Sequence, residues 1–153
     1  MFLMSALLLK AQQPTPDEIG LIQSAYGMEK RAIVEQVMKL TEAEAPAFWK
    51  VYDEYEVSRK EYGKKRVDNI VDYANNYDKM TDAKATELIK AALNNQASFT
   101  KLLQSTYSKM SKATTPTRAA QFLQLEYYLE NVIRLGISDG IPMIGELDDT
   151  RKN

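Results

Sequence analysis

The sequence predicts an all-α fold: four amphipathic helices with one long central helix, arranged as a helical hairpin or bundle. Three observations predict it. Between Leu40 and Tyr77, the residues Ala45, Phe48, Tyr52, Tyr55, Arg59, Tyr62, Arg66, Ile70, Tyr73 and Tyr77 follow one another at steps of three or four. That is the spacing of one helical stripe drifting slowly around its axis. Threonines at 41, 81 and 115 mark three helix starts, since a threonine hydroxyl can accept from the free amides of a first turn. Three further segments carry apolar side chains at helical spacing, and they have to pack along the long stripe to bury it.

In chain order, Met1–Leu9 is an unbroken apolar run followed by Lys10-Ala11-Gln12-Gln13. It is too short to span a bilayer but fits the core of a secretory signal, with Ala11 as the small residue before a cut. No basic residue precedes the run, and Leu9 is not small. The alternative is an apolar N-terminus that packs on the bundle. Residues 1–13 are read as a signal-peptide remnant, 14–140 as a single α-helical domain and 141–153 as a flexible C-terminal tail. The first helix is expected from Asp17 to Lys39, with Ile19, Ile22, Tyr26, Ile33, Val37 and Leu40 on its apolar face and Gly20 and Gly27 as weak points.

The long helix follows. Thr41 and Glu44 form a capping-box pattern, but Pro46 lacks a backbone donor. The start therefore either bends or moves to Ala45. Asn75, Asn76 and Asp78 make the next turn. A third helix is expected from Asp82 to Ser111, using Leu88, Ile89, Phe99, Leu103, Tyr107 and Met110 as its face. Thr115 as cap and Pro116 at the first helical position start the fourth, which runs to Ile137 with Phe122, Leu125, Leu129, Val132 and Ile133 on one side. Gly136 and Gly140 end it.

Composition narrows the function. Apolar residues make up 44% and charged residues 27% of 153, which is ordinary for one globular domain. A net charge of −1 gives no general field for nucleic acid or anionic lipid. The chain has neither cysteine nor histidine. Thiolate chemistry, the commonest general base and the commonest transition-metal ligand are all missing. No metal motif or glycine-rich phosphate loop is present, so no cofactor is implied and no catalytic residue is assigned.

Two constellations stand out. Tyr52, Tyr55 and Tyr62, with Phe48 at the head of the stripe, suit a surface that is wet part of the time, because tyrosine buries a ring and keeps a polar tip. The plainer alternative is a core stripe with hydroxyls at its rim. Arg59, Lys60, Lys64, Lys65 and Arg66 then crowd five cations into two turns. They form either a basic patch for an acidic or unfolded partner, or a solvated face balanced by Glu54, Glu56 and Glu61. Arg59 and Arg66 lie on the stripe itself and need an open groove or a carboxylate partner, for which Glu126 and Glu130 are the candidates. The sequence favours an open cradle, with Tyr52, Tyr55, Arg59, Tyr62, Lys65 and Arg66 as its binding residues.

Leu40-Thr41-Glu42-Ala43-Glu44, followed by Phe48, and Thr115-Pro116 leading through Gln121 to Phe122 and Glu126 resemble the repeated L-T-x-x-Q motifs of the Spy/CpxP-type periplasmic proteins. Glu44 stands where that family has glutamine, and the second motif lacks its leading leucine. The resemblance implies export, a helical hairpin that can form a homodimer, and service as an ATP-independent chaperone, a stress-signalling regulator or a metal-responsive sensor. The lack of histidine argues against the last. The expectation is an exported, non-enzymatic protein that binds unfolded or stress-related polypeptides, with no nucleic acid and no stable membrane insertion. The alternatives are a regulator of one membrane-sensor domain and a structural helical module with no client.

Overall fold

The computed structural model describes residues 16–145, with side chains from residue 26 onward. Over these residues the expected all-α architecture forms: α1 Pro16–Met38, α2 Ala45–Asn76, a short 3-10 turn Tyr77–Lys79, α3 Asp82–Ala113 and α4 Pro116–Gly140. Among them no helix is long and apolar enough to cross a membrane. The expected signal segment lies outside the described residues.

The helix starts follow from local chemistry. Thr41 and Glu44 close the capping box: the Thr41 amide donates to Glu44 Oε2 at 3.0 Å, and the Glu44 amide donates to Thr41 Oγ1 at 3.3 Å. The regular helix then begins at Ala45, so Pro46 falls in the first turn, where no donor is needed. Thr81 Oγ1 accepts from the Lys84 amide and Thr115 Oγ1 from the Arg118 amide, both at 3.2 Å. α3 and α4 run slightly past their expected ends, to Ala113 and Gly140. α1 stops at Lys39, whose φ of 46° is left-handed although it carries a Cβ.

Cross-helix pairings give an up-down-up-down bundle. Residues 26, 30 and 31 of α1 meet 59, 56 and 53 of α2, so those two helices run antiparallel. α2 and α3 form the most extensive antiparallel pair, from Lys109–Glu54 at one end to Lys84–Asp72 at the other. α4 returns parallel to α2, bringing Phe122 against Tyr55 and Glu130 against Arg66.

The core sits where α1 overlaps α2, α3 and α4. Phe122 is fully buried and meets Phe48, Tyr52 and Tyr55 edge-on, at ring-centre distances of 5.5, 5.8 and 5.6 Å. Farther along, Tyr62 stacks on Phe99 at 4.3 Å. Phe48 lies in the core with Trp49 at its edge, and Leu40 packs on it from the side.

The apolar face expected for α1 is corrected over its described side chains. Ile33 and Val37 are exposed, while Lys30, Val34 and Met38 form the buried line. These three are four residues apart and share a face, but a lysine at their head reads as solvent-facing unless something neutralises it. Val132, Ile89 and Tyr107 likewise point outward rather than into the core. The segment Ile141–Gly145, expected to begin a loose tail, is tied to α2 and to the turn that follows it. Tyr73 donates to the Pro142 carbonyl at 2.7 Å and Tyr77 to the Met143 carbonyl at 3.0 Å.

Candidate functional site

The stripe of α2 is closed where the open cradle was expected. Tyr52, Tyr55 and Tyr62 are only 2%, 2% and 7% exposed, so they form core, and the expected aromatic binding face is corrected. α1 and α4 cover it. The rings lie against Phe122 and Phe99, and two hydroxyls reach carboxylates of α4: Tyr55 donates to Glu126 at 2.6 Å and Tyr62 to Glu130 at 3.0 Å. Burial raises the Tyr55 and Tyr52 phenol pKa values, reinforced by the nearby Glu126 and Glu56.

At the centre is a buried ionic cluster that no single segment of sequence displays. Lys30 of α1 is 1% exposed. It donates to Glu56 of α2 at 2.5 Å and to Glu126 of α4 at 2.7 Å, and its ammonium stands 4.9 Å from the Tyr55 ring centre. Glu56 is also held by Arg59 through two bonds of 2.8 and 2.9 Å, and Arg59 lies over the Tyr26 ring. Two cations and two carboxylates thus balance inside one apolar shell, which a buried charge requires. Burial acts to raise both carboxyls. At Glu56 the hydrogen bond from Arg59 and the charge of Lys30 outweigh it, so the pKa falls. At Glu126 burial wins over Lys30 and Tyr55, and the pKa rises.

The predicted arginine partners are half right. Arg66 does pair with Glu130, at 2.6 Å. Arg59 takes Glu56 on its own helix instead, because Lys30 already occupies Glu126. Lys65 is exposed, beside a cleft of about 320 Å³ between α2, α3 and α4 that Arg66, Leu93, Arg134 and Ile137 also line.

The helix-start residues meet at one end of the bundle. Arg118, in the first turn of α4, gives Glu44 two hydrogen bonds of 2.8 and 3.0 Å and donates to the Met38 carbonyl at 3.0 Å. One guanidinium therefore ties the end of α1 to the starts of α2 and α4. Its hydrogen bonds hold the Glu44 carboxyl down to about 2. Glu44 and Arg118 thus form a charge pair. Sequence reasoning missed Lys30 and Arg118, and it placed Glu56 on a solvated face rather than inside the bundle. The only signals were the four-residue spacing of 30, 34 and 38, and an arginine three residues after the Thr115 cap.

What remains exposed and apolar is elsewhere. Tyr128, Val132 and Leu135 make a row along the outer face of α4, and Leu135 is 64% exposed. Ile89 and Leu93 project from α3 toward the same end of the bundle, Leu93 being 62% exposed, and Met143 and Ile144 follow just past α4. Among the described residues, no group of three or more His, Cys, Asp or Glu is placed to hold a metal ion. No protein-family model, curated protein or solved structure matches this chain.

Proposed function

We propose that this chain is an exported, non-enzymatic helical protein that holds unfolded or stress-related polypeptides without using a nucleotide. The observation that carries this is the exposed apolar row Tyr128, Val132 and Leu135 along the outer face of α4, with Ile89 and Leu93 exposed on α3 and Met143 exposed just past α4. Large solvent-facing apolar side chains gathered in one region mark an interaction surface. Lys65 and Arg134 lie beside Leu93 at the neighbouring cleft, so attraction of acidic segments can precede weak apolar holding. Export rests on the Met1–Leu9 run and on the resemblance to Spy/CpxP-type proteins. A regulator that binds one sensor domain would use the same surface for a single partner.

Suppression of aggregation of several unrelated client proteins, at low and high salt, tests the proposal. Holding of all of them, weakened by salt and by Leu93→Glu/Leu135→Glu at unchanged melting temperature, is the expected result. No holding of any client would remove the chaperone-like function, and holding of one alone would favour the regulator.

A further inference from the structure

We propose that the groove between α2 and α4 occupied by α1 is itself a docking site, for an amphipathic helix bearing one lysine or arginine amid aliphatic side chains, with α1 as its displaceable built-in occupant. This deepens the polypeptide-holding function above by naming a partner class.

The chemistry of the groove defines the partner. Its walls are aromatic (Tyr52, Tyr55, Phe122), and at its centre Glu56 and Glu126 converge from two helices on one ammonium, that of Lys30. A docking helix must therefore deliver a cation at that point, with aliphatic residues four and eight positions later. Val34 and Met38 supply these in α1. A helix with acidic or neutral residues at the central position would leave a buried carboxylate without its partner, which is strongly unfavourable.

α1 fits this groove imperfectly. A cleft of about 310 Å³ lies along the α1–α2 seam, lined by Gly27, Arg31, Tyr52, Asp53, Glu56 and Lys60. Tyr52 also carries a buried hydroxyl with no hydrogen-bond partner, a group that a better-fitting helix could satisfy. At Gly27 a Cβ would meet only Lys60 Cε, at 3.9 Å, so the seam has room for the side chain that α1 lacks. Neighbouring contacts are peripheral: Arg31 stacks on Trp49 at 4.1 Å and pairs with an exposed Asp53. The hinge after α1 holds Lys39 in the left-handed region, a conformation that a residue with a Cβ adopts reluctantly. Meanwhile α1 leaves Met28, Ile33 and Val37 facing solvent, so part of its apolar surface is not committed to the groove. The α2–α3 and α3–α4 contacts, including the Tyr62–Phe99 stack, are made without α1.

The test adds the occupant in trans. A fluorophore-labelled synthetic peptide of residues 16–38 is titrated with the unmodified full chain and followed by anisotropy. Saturable binding is expected, and a Lys30→Met peptide should bind at least roughly tenfold more weakly, because hydrogen bonds to charged groups are lost. Gly27→Ala in the full chain should tighten the resident helix and reduce peptide capture about two- to fivefold. Hydrogen exchange should show α1 amides opening before those of α2, α3 and α4. Absence of saturable binding, equal binding of the two peptides, or α1 exchanging in step with α2 and α4 would each overturn the proposal. This titration reads the groove alone and the aggregation assay reads the exposed row, so either can fail without the other.

Discussion

Phe122→Ala is expected to cost about 4 kcal/mol of folding free energy, within the ~3–5 kcal/mol range for deleting a buried aromatic ring. The upper half of that range follows from the surroundings. Phe122 is fully buried, and its three ring neighbours, Phe48, Tyr52 and Tyr55, all belong to α2. Anchored on one rigid helix, they cannot collapse into the space left behind, so most of the cavity persists. Phe122→Leu separates shape from area. It keeps most of the apolar surface but loses three edge-on contacts, each worth ~0.5–1.5 kcal/mol beyond burial, and should cost about 2 kcal/mol. Urea unfolding followed by far-UV circular dichroism measures both, and the single tryptophan, Trp49, reports on the same cluster by fluorescence. At about 2–4 °C per kcal/mol for a chain of this size, the alanine variant should melt roughly 8–16 °C lower. A loss below about 1 kcal/mol with an unchanged denaturant slope would mean that α4 is not seated on α2 through this ring, and the packing described above would be wrong.

Three further outcomes follow from the charged groups. The Glu44 carboxyl is held down to about 2 against an ordinary 4.5, so its stabilisation is full above the ordinary value and is lost as pH falls through about 2. The melting-temperature gap between the parent and Glu44→Gln should therefore be widest near neutrality and close in strong acid; a gap independent of pH would contradict the Arg118 pairing. Arg66→Ala should cost about 1–2 kcal/mol in urea unfolding, because Glu130 keeps Arg134 at 3.2 Å and Tyr62 at 3.0 Å. Lys65→Ala, at an exposed residue for which no carboxylate among the described residues forms an ion pair, should stay within about 0.5 kcal/mol, and equal effects for the two would show the stripe to be open to solvent. Lys30→Met should undock α1, and Glu126→Gln added to it should restore part of the loss by removing the stranded charge; a double variant worse than the sum of the singles would argue against direct pairing.

What the sequence determined by itself is the set of helices and where they start. Thr41 with Glu44, Thr81, and Thr115 with Pro116 act on amides within one turn, so their effect is local and needs no knowledge of the rest of the chain. That Phe48 and Arg66 share one stripe, with Glu130 as one of two candidate carboxylates for its arginines, was also legible, because stripe positions follow from a fixed helical period. Tertiary structure decided the rest. Whether the tyrosine stripe was a wet cradle or a dry core depended on what covered it, and tyrosine suits either. The buried face of α1 ran through Lys30 rather than Ile33 because Glu56 and Glu126, 26 and 96 residues away, supply its countercharge. A charged side chain carries no sign of its eventual partner, so its place inside or outside is fixed only when distant helices bring one to it.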